Sequence, residues 1–574
     1  MNHRILFVLP IAYALSGCAG DDHGSPAVGA GSRSEPASGD LADLADSTVI
    51  PPASLASAGD SATGTSIVAI QPASGAASSP IVLNSAPTSA QSTNAGDAYE
   101  DVGTNPFVVT AHDPFSTFAI DVDTASYDIF RRDIGFGTLP QPESVRLEEY
   151  INNFNYDYPA PAKEDAEPFA ISLAAAGDVL GRGTALLRVG IQGRLPEEFE
   201  KKPTNLVFLI DTSGSMQTAD KLPLVKEVLT LTLDFLDPQD TVSIVTYAGF
   251  TQVALAPTPV ENKAEIAQVI ESFSAGGSTA GASGLVLAYG EAEDGFIEEG
   301  LNHIVMCTDG DFNVGLSSDK EIVQLIREKR ETGVTLTALG FGVGNLNDSM
   351  MEKVSNAGNG AYGVISSSEH AERYVSDRML STIGHIAKDV KIQVEFNPDH
   401  VQGYRLLGYE NRAIADDLFR DDSIDAGEIG AGHTVTALYE LALTNQELPE
   451  LEGAPEIEDG EPVDGEREIA EEDLVLLKVR YKEPNATAED AAKEIQAALA
   501  PENIHQELAT ADDDLAWAAA MAAFAELLKH SPYADTDARS QIQEIVEAQR
   551  ERDADRAEFA ELFGKALPLL EKED

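Results

Sequence analysis

The run Asp211-Thr212-Ser213-Gly214-Ser215 sets one carboxylate and two hydroxyls on a tight, Gly-containing turn. It follows the apolar strand expected over 205–210 and leads towards a helix expected over 219–236. Open α/β sheets place ligand sites at such strand ends. Gly276-Gly277-Ser278-Thr279 opens another expected helix and adds a third hydroxyl. Thr308-Asp309 closes the strand expected over 302–307 and adds a second carboxylate on the same sheet edge. Hard oxygen donors of this kind suit Mg²⁺ or Mn²⁺. A turn with a helix N-cap accounts for Asp211–Ser215 alone, since Asp, Ser and Thr favour both. The three segments taken together point to a cation site.

Other clusters read more plainly. Asp121, Asp123, Thr124 and Ser126 follow a strand and suit a strand end with a helix cap. Asp421, Asp422, Ser423, Asp425 and Glu428 resemble a calcium loop, but Gly427 falls one place late for the EF-hand register, so a solvated turn is expected. Cys307 ends an apolar strand and reads as a buried, inert thiol. His433 reads as a structural histidine in a strand. The ten histidines form no H-E-x-x-H motif, and there is no P-loop and no G-x-S-x-G.

Several elements must position the site. Apolar strands at 205–210, 241–247, 302–307, 334–341 and 361–365 alternate with helices at 219–236, 263–273, 282–294, 318–331, 347–357 and 369–387. Near-continuous apolar strands are buried on both faces, so residues 204–387 are expected to form a mostly parallel α/β sheet with helices on both sides. Residues 106–203 are expected to form an N-terminal region with two strands, at 168–176 and 184–193, and a helix carrying Val145 to Phe154. Strand patterns return over 388–485 and enclose a loop at 446–473. That loop has 13 acidic residues and one basic, Arg467, and reads as solvated and mobile. Residues 486–574 read as helical. The strands on either side of the α/β segment are expected to share one β-rich domain into which it is inserted.

The three chemistry-bearing segments resemble the metal-ion-dependent adhesion site of von Willebrand factor A (VWA) domains. That resemblance implies that Ser213, Ser215 and Thr279 hold one Mg²⁺ or Mn²⁺ through their hydroxyls. It implies that Asp211 and Asp309 hold it directly or through water. One position is then left for an oxygen of a protein partner, commonly a carboxylate. The stretches FSTFAIDVDTASY, RLEEYINNF, CTDGDFNVG, YRLLGYENRAIADDLF and DAGEIGAGHTVTALYE further resemble the YfbK-like family of bacterial VWA lipoproteins, over about 106–565. Membership implies a fold with accessory domains, the N-terminal one over 106–203, and a metal site; it does not supply an activity.

The N-terminus carries an address. Ile5 to Leu15 is an apolar stretch of signal-peptide length, and Leu15-Ser16-Gly17-Cys18 resembles a bacterial lipobox. Cleavage after residue 17 and acylation of Cys18 would anchor the chain to a membrane, and Ala19 resembles the outer-membrane sorting signal. Residues 18–105 are rich in Ala, Ser, Gly and Thr and are expected to be a disordered tether. A net charge of −59 repels phosphate backbones, which excludes a nucleic-acid binder. The expected function is therefore non-catalytic binding of a protein partner in the cell envelope. An envelope hydrolase and a passive acidic spacer are the alternatives from other classes.

Overall fold

Strand Thr204–Asp211 is buried at every position, and its side chains divide by alternation. Leu206, Phe208 and Ile210 enter one core, and Val207 and Leu209 enter another on the opposite face. This strand is central to a six-stranded sheet ordered 362–365, 335–341, 301–308, 204–211, 241–247 and 251–259. All pairings are parallel except that of the last strand, Thr251–Pro259, which returns antiparallel at the edge. Helices Leu222–Phe235 and Lys263–Ser272, with the helical run from Ser368 to Ile383, cover one face. Helices Gly281–Asp294, Asp319–Arg330 and Asp348–Ala357 cover the other. The expected sheet is thus present, with the edge strand added.

This computed structural model describes residues 96–120, 123–177, 183–195, 202–278, 281–310, 319–444, 446–459, 467–487, 490–508 and 511–573. The expected signal peptide with Cys18, the expected tether up to residue 95, Asp121 and Thr279 lie outside the described residues. Among those described, no helix is long and apolar enough to cross a membrane.

The strands outside this α/β segment form two further sheets. One is ordered 108–109, 401–407, 434–443, 185–193, 169–177 and 504–505. The other is ordered 427–430, 385–396, 475–482 and 493–499, and strand Phe115–Ala119 also pairs with His385–Phe396. Leu187, Val189 and Ile191 of the first share a core with Ile392, Val394, Leu477 and Val479 of the second, which makes a sandwich. Strand Ala185–Gly193 pairs antiparallel with Thr434–Leu443, across the whole α/β segment, so that segment is inserted in the sandwich.

A third core is helical. Helices Ala125–Phe136 and Leu147–Asn152 pack against Asp513–Lys529, Arg539–Gln549 and Ala554–Glu573. Trp517 meets Phe154 edge-on at 5.1 Å, and Phe524 meets Phe130 at 5.3 Å. Residues 106–203 are therefore shared between the sandwich and this helical layer.

Four expectations need correction. Helix begins only at Asp513, with Asp512 accepting from Leu515 N at 2.6 Å as its cap; Lys493–Leu499 is instead an edge strand on Val475–Lys482. The Ala-rich run has helical propensity, but an open sheet edge offers its backbone partners and overrides it. The helix expected to reach 387 stops at Ile383, because His385–Ala387 already pair with 427–430. Residues 96–105, expected to belong to the tether, are tied to the α/β segment. Ala98 N donates to Leu346 O at 2.8 Å, and Asp348 N donates to Ala98 O at 3.1 Å. The acidic loop is anchored within its described residues 446–459, since Glu458 N donates to Phe107 O at 2.8 Å and Val109 N to Glu458 O at 2.9 Å.

Candidate metal centre

Register delivers the two carboxylates. Ile210 pairs with Cys307 in neighbouring parallel strands, so Asp211 and Thr308-Asp309 leave the sheet together at its carboxyl edge. Asp211 and Asp309 are both buried. Asp211 Oδ1 accepts from Ser213 N at 2.8 Å, which folds the turn back over the strand end. Asp211 Oδ2 accepts from the Thr308 hydroxyl at 3.2 Å, and Thr308 Oγ1 in turn accepts from Gly310 N at 3.2 Å. Gly310 has φ 92°, and a Cβ there would meet Asn347 N at 2.5 Å, so only glycine fits the approach of this loop.

The hydroxyls come from the following turn. Ser213 precedes a 3₁₀ turn over Gly214–Gln217, and its Oγ lies 2.9 Å from Ser215 Oγ. The Gly276-Gly277 segment is laced to the same turn. Gly276 N donates to Thr212 O at 2.8 Å, and Gly214 N donates to Gly277 O at 3.0 Å. The structure therefore brings Asp211, Ser213, Ser215 and Asp309 to one edge, with the Gly276-Gly277 loop beside them. Thr279 itself is outside the described residues.

Two further residues were not foreseen from sequence. Lys221 Nζ donates to Asp309 Oδ2 at 2.9 Å and to Asn345 Oδ1 at 3.2 Å. Asn345 Nδ2 also donates to Asp309 Oδ2, at 2.9 Å. The two carboxylates thus differ. Asp309 has an ammonium partner, whereas Asp211 has only N–H and O–H donors among the described residues. Burial pushes the Asp211 carboxyl up to about 6; the Ser213 bonds hold it back in part, and the Asp309 charge adds to the rise. A buried carboxylate without a cation, beside paired hydroxyls, fits a hard divalent ion. Among the described residues no group of three or more His, Cys, Asp or Glu could hold a metal ion.

The other clusters are taken up by structural contacts, with two departures from expectation: Thr124 caps its helix without a side-chain hydrogen bond, and His433 lies just before strand Thr434–Leu443 rather than in it, its Nδ1 without a hydrogen-bond partner among the described residues. Asp123 accepts from Tyr362 N at 2.7 Å and pairs with Arg412 at 3.1 Å. Asp421 is turned onto Ser423, Asp422 onto Arg480 and Asp425 onto Arg330, so those acids serve separate partners. Cys307 is buried and its thiol is pushed up by desolvation. Burial lowers His433 to about 3, which keeps it neutral.

Comparison with known proteins gives three family matches. The "von Willebrand factor type A domain" model matches residues 205–380, a "von Willebrand factor" model 93–188, and the model described as "Uncharacterized protein YfbK, C-terminal" 381–569. Human inter-alpha-trypsin inhibitor heavy chain H4 is 30% identical over 26% of this chain and 17% of its own length. A solved von Willebrand factor type A protein from Catenulispora acidiphila superposes with a TM-score of 0.39 at 16% identity, covering 73% of this chain and 89% of that one. Proximal thread matrix protein 1 from the mussel byssus, solved with a zinc-occupied MIDAS motif, gives 0.27 at 18% identity, covering 31% and 47%. The uncharacterized protein YfbK of Escherichia coli K12 is 38% identical over 484 residues, 82% of this chain and 81% of that protein. With that identity along most of both chains, and with the YfbK C-terminal model matched beside the VWA domain, the chain belongs to the YfbK family of VWA-domain proteins.

Proposed function

We propose that the chain is a bacterial cell-envelope lipoprotein that binds a protein partner through one divalent cation on its VWA domain and catalyses no reaction. The VWA domain is an interaction module, and its presence supports a binding role. The observation that carries the cation is Asp211, a buried carboxylate without a cationic partner among the described residues, 2.8 Å from Ser213 N and next to the Ser213–Ser215 hydroxyl pair. Asp211, Ser213, Ser215, Thr279 and Asp309 would hold Mg²⁺ or Mn²⁺. When bound there, the ion supplies a Lewis-acid position for a carboxylate of the partner. Lys221 and Asn345 fix Asp309 through Oδ2, and the Gly276-Gly277 loop braces the serine turn. Anchoring is assigned to Cys18 in the outer membrane, with the head facing the periplasm or the exterior.

Capture of envelope proteins by the full chain tests this reading. Capture is expected with Mg²⁺, is lost in EDTA and in Ser213→Ala/Ser215→Ala, and survives ~0.5 M NaCl, where the Debye length is only ~4–5 Å. Equal retention in EDTA and by the double variant would overturn it. Loss at high salt alone would favour diffuse attraction by the acidic surface, and turnover of the captured protein would favour an envelope hydrolase.

A further inference from the structure

A second site lies away from the metal centre. A cavity of about 330 Å³ opens where the last helical run of the VWA domain meets the sandwich and the N-terminal helices. That volume lies within the range of small-molecule sites, about 300–1,000 Å³. The chain has 97 acidic and 38 basic residues, yet Arg131, Arg373 and Arg378 all line this cavity, alongside the acids Asp377 and Asp555.

Two of the arginines are committed. Arg131 pairs with Asp128 at 2.6 Å and Glu558 at 3.2 Å. Arg373 pairs with Glu558 at 2.8 Å and Asp555 at 3.2 Å. Arg378 differs. Its Nη2 donates to Asn153 O at 2.6 Å and to Asn153 Oδ1 at 3.0 Å, and these bonds fix the guanidinium plane. Its remaining edge, Nε and Nη1, makes no hydrogen bond or ion pair among the described residues. A guanidinium carries five N–H donors in a planar fork that matches a carboxylate or phosphate in two places.

The surroundings support an anionic guest. Asn153 and His370, 3% and 5% exposed, also line the cavity. Among the described residues, Asn153 Nδ2 and His370 Nδ1 have no hydrogen-bond partner. Arg378 sits in a π-helical turn, Tyr374–Arg378, which also brings Tyr374 and Asp377 to the wall. Such turns recur at functional sites. Arg378 is half-buried, and Asp555 and Asp128 lie near enough to act on its charge, so an anion at its open edge would replace water there rather than relieve an unpaired charge.

We propose that this cavity binds a small oxyanion, an organic carboxylate or a phosphate, through the open edge of Arg378. Arg378 comes from the VWA domain, Asn153 from the N-terminal helical layer and His433, on the same wall, from the sandwich. A bound anion would therefore join the VWA domain to both of its neighbours.

Thermal unfolding of the full chain in EDTA, at constant ionic strength, tests this with inorganic phosphate, malonate and chloride as probes. Phosphate or malonate is expected to raise Tm saturably by at least ~3 °C, with chloride inert. The probe that acts identifies the class, phosphate or carboxylate. The shift should vanish in Arg378→Gln, shrink in Arg378→Lys and persist in Asp211→Ala. EDTA and Asp211→Ala remove the metal centre from the readout, so failure here and failure of the cation reading are distinguishable. If Arg378→Gln does not fold, Arg378→Lys decides, because it keeps the charge and loses the fork. No shift with either anion, or an undiminished shift in the arginine variants, overturns the proposal.

Discussion

Replacing Asp211 by Asn should stabilise the metal-free protein. Burial raises this carboxyl from 3.8 to about 6 in the folded chain. At about 1.4 kcal/mol per pH unit, that rise is a penalty of ~3 kcal/mol for holding Asp211 ionised. The sign follows from the direction. A raised folded value means that the favourable protonated form is fully available below about pH 4, and its benefit is lost as pH climbs through about 6. Asn cannot ionise, yet its Oδ1 can keep the 2.8 Å bond from Ser213 N. In EDTA at pH 7.5, Asp211→Asn should therefore exceed wild type by ~3 kcal/mol in urea unfolding, and the gap should close towards pH 4. Adding Mg²⁺ at 100 times its Kd should return ~2.7 kcal/mol to wild type and nothing to the variant, so the two curves should nearly coincide. A variant no more stable than wild type in EDTA would refute the buried-charge reasoning. A variant that still gains stability from Mg²⁺ would remove Asp211 from the ligand set.

Three other perturbations test neighbouring parts of the structure. Lys221→Met leaves Asp309 buried without its ammonium, so the metal-free protein should lose ~3 kcal/mol and show a larger Mg²⁺-induced Tm rise than wild type; an unchanged melt in EDTA would contradict the pairing. Asp97 accepts from Gly344 N at 2.8 Å and Leu346 N at 2.9 Å and pairs with buried Arg132 at 2.9 Å, on the loop that carries Asn345. Asp97→Ala should cost ~2–4 kcal/mol and speed proteolysis within 96–105, and equal cleavage rates would show that this strap is not held by its carboxylate. Cys18→Ser should release the chain from the membrane fraction, and retention at the wild-type level would defeat the lipid anchor.

The VWA sheet was readable because its central strands are apolar on both faces, as in Leu206 to Ile210, and each is followed by a helix. The edge strand Thr251–Pro259 was not, since it is largely exposed and ends in Pro257 and Pro259, residues tolerated only where the ladder is open. At the metal centre the carboxylate and hydroxyls of 211–215 are close in sequence and carry their own signal. Lys221 and Asn345 do not, because they meet Asp309 and each other only through folding, with Lys221 separated from them by 88 and 124 positions. The strap at 96–99 was hidden for another reason. Its grip comes from backbone bonds and from the single carboxylate of Asp97, so an Ala- and Gly-rich composition conceals it. The strand at Lys493–Leu499 is hidden in the sequence because local propensity favours helix, while the open edge of Val475–Lys482 supplies the stronger constraint.

Calorimetric titration of Mn²⁺ into the full chain measures the cation claim most directly. Wild type should bind one ion per chain at the VWA domain. Below about pH 6 the ion must displace a proton from Asp211, so affinity should fall there by up to tenfold per pH unit. Ser213→Ala/Ser215→Ala and Thr279→Ala should each lose that binding while keeping the fold by circular dichroism. Undiminished one-to-one binding in the serine double variant would contradict the site.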